Sequence, residues 1–464
     1  MNYDLIIIGA GPGGYICAIR ASQLGQKVAI VDKEWLGGVC LNVGCIPSKS
    51  LLKNAEVAHT LRNRGDDFGF SFDNLQLDYS VAVKRSRQVA QRLTKGVAFL
   101  MKKNDIYVYM GSARLTSNSS VEVSGSDGAV ITLTARNIVV ATGSHAAAPA
   151  ALSPNGDNVL TYREAIIQNH LPSSVVIVGG GAIGVEFATI WNSYGSQVTI
   201  VEMLPRILPL EDEQISTELT QAFNKSGINV LAEAKVEQLE TSGQGVEVTV
   251  SSKKGVQTLA AAQVLIAVGF APNSDNLGLD AIAVERDAQG FIKVDDDMRT
   301  NVNGIYAIGD VTGKLQLAHV ASAQGVVTAE IIAGAPTVKL DYRMMPRATY
   351  CHPEVASFGY SDVEARDAGY EVKTARFDFR ASGKALGMGD YGGWAKIISD
   401  AKYGEILGAH LIGPQVTELL PEITLAQKLE LTGEEIARNV HAHPTLSEAV
   451  MEASHGLVGK MINS

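Results

Sequence analysis

Short runs of apolar residues alternate with helix-like stretches in the N-terminal part of the chain. Residues 4–8 form an apolar run, residues 15–25 have helix-like spacing, and residues 27–31 form a second apolar run that ends at Asp32. A glycine-rich segment lies between the first run and the helix. Strand, glycine turn, helix and strand in this order predict a β-α-β unit with two parallel strands.

The same pattern occurs a second time further along the chain. Residues 174–178, 185–194 and 197–201 repeat the strand, helix and strand, again with glycines after the first strand. In both copies an acidic residue, Asp32 or Glu202, follows the last glycine of the loop at the same distance of 18 residues. Two matching units predict two dinucleotide-binding domains in one chain.

The glycines of both loops are suited to a dinucleotide pyrophosphate, because glycine permits a tight turn and a close approach of the backbone to phosphates at a helix N-terminus. Asp32 and Glu202 are interpreted as acceptors for ribose hydroxyls, with a solvated strand end as the alternative for each. A carboxylate at Glu202 would repel a 2′-phosphate, which favours NAD over NADP at the second site. The loop glycines are Gly9, Gly11 and Gly14 in the first unit and Gly179, Gly181 and Gly184 in the second.

The rest of the chain divides into further segments. Residues 48–62 and 79–104 have helical spacing, residues 145–158 have the composition of a domain junction, and after about Arg343 strands and helices mix without another glycine loop. We therefore predict an α/β fold with two Rossmann-like dinucleotide-binding domains, a central segment and a C-terminal α+β domain. The predicted boundaries are 1–145, 146–270, 271–342 and 343–464.

Composition and charge exclude several classes of protein. Of the 464 residues, 46% are hydrophobic and 19% are charged, so global disorder is excluded. A net charge of −10 argues against a nucleic-acid partner. Apolar runs of about 18 residues are interrupted throughout, so we expect no membrane span. The strand pattern begins too near Met1 for a signal peptide, which favours the bacterial cytoplasm, or an organelle matrix if a transit peptide was removed.

Two of the four cysteines lie close together, and four are too few for a secreted disulfide framework. Cys40 and Cys45 are five residues apart, which is about 140° around a regular helix, so an uninterrupted helix would separate their sulfurs. Gly44 and Pro47 permit a distortion that brings the sulfurs together. We expect no metal site, because no further Cys or His lies nearby to complete a tetrahedral set. The spacing leaves a redox pair and two inert buried thiols as alternatives.

The cysteine segment carries a longer motif. Residues 37–49 read Gly-Gly-Val-Cys-Leu-Asn-Val-Gly-Cys-Ile-Pro-Ser-Lys and follow directly on the first β-α-β unit. This order resembles the pyridine nucleotide-disulfide oxidoreductases. The resemblance extends through the second nucleotide unit, Ala-Ile-Gly-Asp at 307–310, residues 350–356 and His-Ala-His-Pro-Thr-Leu-Ser-Glu at 441–448. It implies FAD in the first nucleotide domain, NAD in the second and a C-terminal domain that forms a homodimer.

The resemblance also implies roles for single residues. Cys40 corresponds to the thiol that exchanges with the substrate sulfur, and Cys45 to the thiol next to the flavin. Lys49 lies near the flavin in the family and pairs with Glu186. His443 corresponds to the catalytic base, which in the family reaches the cysteine pair of the other subunit.

Further site residues follow from the same resemblance. Glu448 corresponds to the acid that orients the base. The residues implied to contact FAD, besides the first glycine loop and Asp32, are Lys49, Ala113, Thr142, Gly143, Ser144, Asp310, Gln316, Leu317, Ala318 and His319. The residues implied to contact NAD, besides the second loop and Glu202, are Val236 and Gly269.

Within the family, the C-terminal motif is most similar to members that oxidise protein-bound dihydrolipoamide with NAD⁺. This implies a lipoyl-bearing partner, either the E2 component of a 2-oxo acid dehydrogenase complex or the H protein of glycine cleavage. The alternatives are a glutathione reductase-like or mercuric reductase-like enzyme and a flavin-containing redox scaffold. One departure is Phe270, where the family often has Arg.

Overall fold

The computed structural model describes residues 2–243 and 245–463. The α-helices are α1 Pro12–Gln23, α2 Gly38–Asn42, α3 Cys45–Asn63, α4 Tyr79–Lys103, α5 Tyr162–Ala165, α6 Ala182–Tyr194, α7 Glu213–Lys225, α8 Ala318–Ala333, α9 Asp362–Asp367, α10 Gly383–Met388, α11 Val416–Lys428, α12 Gly433–Arg438 and α13 Glu448–Val458. The β-strands are β1 Asn2–Ile8, β2 Val28–Asp32, β3 Tyr107–Met110, β4 Ser112–Ser117, β5 Ser120–Ser124, β6 Val130–Val140, β7 Ser144–Ala146, β8 Val159–Leu160, β9 Ser174–Val178, β10 Gln197–Val201, β11 Ile228–Leu231, β12 Ala234–Ser242, β13 Gly245–Ser252, β14 Gly255–Ala261, β15 Gln263–Ile266, β16 Phe270–Pro272, β17 Ile305–Ala307, β18 Arg347–Thr349, β19 Glu354–Gly359, β20 Val372–Asp378, β21 Trp394–Asp400 and β22 Ile406–Gly413.

The first predicted β-α-β unit forms a parallel sheet in the order β3–β2–β1–β6. On its far side, β6 pairs along its first half with β5 in antiparallel orientation and along its second half with β17 in parallel orientation. Helix α8 packs so closely on α1 that a Cβ at Gly325 would lie 2.6 Å from the carbonyl oxygen of Gly13. The predicted central segment therefore contributes a strand and a helix to the first sheet domain.

The second β-α-β unit forms a five-stranded parallel sheet in the order β11–β10–β9–β15–β8. A separate antiparallel sheet, β12–β13–β14, is inserted in the chain between β11 and β15 of this sheet. The chain enters this region through β7 and leaves it through β16, and these two strands pair with each other. This confirms the prediction of two Rossmann-like units, and the exact domain boundaries stay a prediction.

The C-terminal region is an antiparallel sheet, β18–β19–β22–β21–β20, covered by α11 and α13. One apolar cluster joins all three regions, because Leu51 of α3, Trp191 of α6 and Trp394 of β21 are buried in the same core. This shared core fixes the regions relative to one another. None of the helices in the described ranges has the length and apolarity that a membrane span requires.

Candidate active site

The two glycine loops have the same geometry. Gly9 and Gly179 adopt φ values of +108° and +110°, a conformation that favours glycine. A Cβ at Gly9 would lie 2.2 Å from the carbonyl oxygen of Ala141. A Cβ at Gly14 would lie 1.9 Å from the carbonyl oxygen of Gly9, and the equivalent distance from Gly184 to Gly179 is 2.0 Å. These positions exclude a side chain, so each loop turns tightly into its helix.

Asp32 and Glu202 each accept a hydrogen bond from the backbone of their glycine loop. Asp32 Oδ2 accepts a hydrogen bond of 2.7 Å from the backbone N–H of Ala10, and Glu202 Oε2 accepts one of 2.6 Å from Gly180. Each carboxylate oxygen has a second lone pair. Both acids therefore stand beside a helix N-terminus with acceptor capacity left for a ribose hydroxyl.

The end of the first sheet offers polar groups that fit FAD. Asp310 is partly buried and accepts a hydrogen bond of 2.8 Å from Ser144 Oγ. Burial raises the pKa of Asp310, against the opposing effect of Ser144. The Nε2 of Gln316 is buried and has no hydrogen-bond partner among the residues that the structure describes. A ligand with hydroxyl and carbonyl groups would satisfy both residues.

Other residues expected at the FAD site lie around this end of the sheet or elsewhere in the first domain. Gly143 has a φ of +72° and open space where a Cβ would lie. Thr142 Oγ1 donates to the carbonyl of Asn273, and Leu317 and Ala318 form the start of α8. The side chain of His319 donates from Nε2 to the carbonyl of Pro346, which leaves its backbone for a cofactor. Ala113 pairs with Val123 within β4 and β5.

The second loop has the space that NAD requires. A Cβ at Gly181 or Gly269 would meet no atom within 4 Å. The Nε of Arg206 is buried without a partner within the described ranges, and Arg206 lies four residues after Glu202, which directly follows β10. Val236 lies at an irregularity of β12. Phe270 packs on the ring of Tyr162 at a centroid distance of 6.1 Å, so the position where the family often has Arg is apolar here.

The cysteine pair lies at a helix break, as the sequence predicts. Cys40 belongs to α2, the chain turns at Val43 and Gly44, and Cys45 begins α3. Both are free thiols and their side chains hydrogen bond to each other. The hydrogen bond from Cys40 and the charge of Lys49 lower the pKa of Cys45, although burial and Glu186 oppose this. The same hydrogen bond and burial raise the pKa of Cys40.

Cys45 is therefore the thiol of the pair that loses its proton more readily. A position at the N-terminus of a long helix also favours negative charge on this sulfur. The positions of Cys45 next to the flavin and of Cys40 at the exchange with substrate stay predictions. No group of three or more His, Cys, Asp or Glu side chains in the described part of the chain could hold a metal ion.

Lys49 and Glu186 form an ion pair across two domains. Lys49 Nζ lies 2.9 Å from both carboxylate oxygens of Glu186, which is buried in α6. Burial alone would lower the pKa of Lys49, but the charges of Glu186 and Cys45 raise it overall. Lys49 therefore keeps a positive charge within one helical turn of Cys45.

Two tyrosines near these groups were not predicted from the sequence: Tyr15 beside the cysteine pair and Tyr350 beside the ion pair of Lys49 and Glu186. Burial and the nearby sulfurs of Cys40 and Cys45 raise the pKa of Tyr15, which places its phenol close to the pair. Tyr350 donates its backbone N–H to Glu186 at 3.0 Å, and its ring lies 4.7 Å from Lys49 Nζ. The position of Tyr15 directly after the glycine loop was the available signal, and only the folded chain reveals its neighbours.

His443 and Glu448 form a local pair, as the resemblance implies. His443 Nδ1 lies 2.9 Å from Glu448 Oε1, and Glu448 Oε2 accepts a 2.8 Å hydrogen bond from the backbone of Thr445. Burial opposes ionisation, but these hydrogen bonds lower the pKa of Glu448 overall. The His443 side chain is 78% exposed, and its Nε2 is directed away from the carboxylate that binds Nδ1. The ring is thus oriented and accessible from outside the chain.

These features define a class of enzyme that moves electrons between a dithiol and two nucleotides. A family model described as pyridine nucleotide-disulphide oxidoreductase matches residues 3–325. The model for the dimerisation domain of the same family matches residues 345–454. The chain therefore belongs to the pyridine nucleotide-disulphide oxidoreductase family. It is a flavoprotein that uses FAD and NAD, and its dimerisation domain indicates a homodimer.

Individual proteins of known name are similar to this chain over its whole length. The dihydrolipoyl dehydrogenase of Mycobacterium leprae is 54% identical over 100% of this chain and 99% of its own length. The dihydrolipoyl dehydrogenase of Corynebacterium glutamicum is 48% identical with the same coverage. Among solved structures, LpdA of Mycobacterium tuberculosis superposes with a TM-score of 0.92 at 26% identity, over 98% of this chain and 99% of LpdA.

Proposed function

We propose that the protein oxidises dihydrolipoamide to lipoamide and reduces NAD⁺ to NADH. The observation that carries the proposal is the Cys40–Cys45 pair at the helix break, where the neighbouring Lys49 helps to lower the pKa of Cys45. Relatives of about half-identical sequence over the whole chain carry the name dihydrolipoyl dehydrogenase. Glu202 supports NAD as the nucleotide rather than NADP.

Side chains of this protein carry out the proton transfer and the thiol–disulfide exchange with the substrate. His443 removes a proton from the dithiol, and the resulting thiolate attacks Cys40 of the oxidised Cys40–Cys45 disulfide. The Cys40–Cys45 bond breaks, Cys45 leaves as a thiolate, and a mixed disulfide forms between Cys40 and the substrate. The second substrate thiol then displaces Cys40, which takes up the proton, and lipoamide leaves.

The reduced pair now holds two electrons more than the disulfide. Lys49 and the N-terminus of α3 stabilise the negative charge on Cys45 while Glu448 holds the ring of His443 in place. The first glycine loop, Asp310 and Gln316 would hold FAD, which would supply the acceptor for this electron pair and allow its transfer to NAD⁺ at the second loop. The base acts on the cysteine pair of the other subunit, so the active unit is the homodimer.

The partner that presents dihydrolipoamide is a lipoyl-bearing protein, either an E2 component or the H protein of glycine cleavage. Sparse cysteine usage and the bacterial relatives support a site of action in the bacterial cytoplasm.

The direct test is the formation of NADH by the purified holoenzyme supplied with dihydrolipoamide and NAD⁺. Turnover with NAD⁺ and little turnover with NADP⁺ is the expected result. Preference for glutathione and NADPH, or for mercuric ion, would indicate another reductase of the family. A yellow protein that binds a lipoyl domain without forming NADH would indicate a redox scaffold.

A further inference from the structure

A second histidine, His441, lies two residues before the proposed base. Its side chain is 4% exposed, whereas that of His443 is 78% exposed. His441 lies in the segment that joins α12 to α13, and no step of the proposed reaction uses it.

Both ring nitrogens of His441 face hydrogen-bond acceptors. Nδ1 lies 2.9 Å from the backbone carbonyl oxygen of Asn439, and Nε2 lies 2.9 Å from Glu422 Oε1. A backbone carbonyl only accepts, and an ionised carboxylate only accepts, whereas a neutral imidazole has one N–H to donate. The two contacts together hold the ring of His441 at both of its nitrogens.

These contacts anchor the segment that carries the base. Glu422 belongs to α11 and also accepts a hydrogen bond from the side-chain amide of Asn439, at the end of α12. His441 thereby ties two helices to the backbone immediately before His443. On the other side of His443, Glu448 begins α13 and binds the ring itself. The pair of His441 with Glu422 therefore holds the segment before the base, and Glu448 holds the ring of the base itself.

We propose that His441 is a positioning residue, which fixes the backbone of the segment 439–443 so that His443 reaches the cysteine pair of the other subunit. The proposal rests on the proposed function, because that function makes His443 the base. A buried ring with two fixed partners permits little rotation, and a displacement of about 1 Å at a reacting group costs on the order of 100-fold in rate.

The test uses three variants of the holoenzyme. His441→Phe removes both contacts, His441→Gln places an amide where Nε2 meets Glu422, and His441→Asn places one where Nδ1 meets Asn439. The matched control is His455→Gln on α13, a histidine outside this network. Each protein is assayed for NADH formation from dihydrolipoamide and for NADH oxidation by ferricyanide, a reaction that does not require a base acting on a thiol.

We expect His441→Phe to lose roughly 10- to 100-fold in kcat with dihydrolipoamide and to keep its ferricyanide activity and Tm. The single-contact variants should lose less, and the control should match the wild type. A parallel loss of both activities and of Tm would show a merely structural role and overturn the proposal. Unchanged dihydrolipoamide turnover in all three variants would also overturn it.

Assays of the wild-type protein distinguish a failure of the proposed function from a failure of the proposed role of His441. Absence of dihydrolipoamide turnover in the wild type would overturn the proposed function, and the role of His441 with it. An active wild type with unaffected His441 variants would overturn the role of His441 alone.

Discussion

The charge on Cys45 depends on a few neighbouring groups. Cys40 donates a hydrogen bond to its sulfur, Lys49 contributes a positive charge, and both lower the pKa of Cys45 against burial and Glu186. Because the pKa is lowered, the thiolate persists at a pH below the ordinary range of a thiol and is lost as the pH falls further. The residue identities alone do not show this balance, which depends on the ion pair between Lys49 and Glu186.

Substitution of Lys49 tests this balance. In Lys49→Met the positive charge is lost, so the pKa of Cys45 should rise and alkylation of the reduced protein by iodoacetamide at neutral pH should slow roughly 10-fold. The pH dependence of the alkylation rate is the measurement. Lys53→Met is the control, since Lys53 is exposed and pairs only with Glu56. An unchanged alkylation profile in Lys49→Met would show that Lys49 does not act on Cys45.

Removal of the flavin-side sulfur should separate cofactor binding from turnover. Cys45→Ser should retain FAD, because the residues proposed to contact the cofactor lie in the glycine loop and around Asp310. It should lose dihydrolipoamide turnover by about 1,000-fold or more, because no disulfide can form. Absorbance of bound flavin and NADH formation measure the two properties. Cys351→Ser should stay active, since a hydroxyl can still donate to Pro353 as the buried thiol does. Full activity of Cys45→Ser would refute the dithiol mechanism.

At the scale of elements, two positions of the second glycine loop differ in what excludes a side chain from them. Gly179 has a φ of +110°, and a Cβ there would lie 2.3 Å from the carbonyl oxygen of Ala267, whereas a Cβ at Gly181 would meet nothing within 4 Å. The protein itself thus excludes a side chain at Gly179, whereas at Gly181 only a bound nucleotide would exclude one.

Alanine at each position should therefore give different results. Gly179→Ala should destabilise the second domain and lower Tm, because both the backbone and the neighbouring carbonyl oppose it. Gly181→Ala should leave Tm unchanged and raise the KM for NAD⁺ roughly 10-fold, since its methyl group occupies the space for the pyrophosphate. Thermal unfolding and steady-state kinetics distinguish the two. Equal effects on Tm would contradict the assignment of Gly181 to ligand contact.

The sequence predicts the existence of these elements better than their first residues. Helices expected at residues 15–25 and 48–62 begin at Pro12 and Cys45 instead. In both, a proline lies in the first turn, where it has no hydrogen bond to lose, so the helix starts earlier than the apolar spacing suggests. The break that brings the cysteines together was predictable from Gly44. The contacts of Tyr15 and Tyr350 were not, because they join segments far apart in the chain.

At the scale of the whole molecule, the proposed base belongs to one chain and the cysteine pair it serves to another. This arrangement predicts complementation between two inactive chains. Coexpression of Cys45→Ser and His443→Gln chains should produce mixed dimers in which one of the two sites has an intact pair and an intact base.

Random pairing should recover about a quarter of the wild-type turnover, since about half of the dimers are mixed and each has one working site. Activity of the coexpressed protein, compared with either chain alone, is the measurement. Two differently tagged chains purified in sequence isolate the mixed dimer, which should have about half of the wild-type activity. A mixed dimer without activity would show that base and cysteines act within one chain.

The apolar core shared by α3, α6 and β21 has a consequence for how this protein can change. Leu51, Trp191 and Trp394 come from three separate regions of the chain, yet each lines the same interior. None of these regions could be exchanged for a module from another protein without exposing the others' apolar faces to water. A module taken from another protein would therefore fit only if its apolar face matched the two faces that it has to cover.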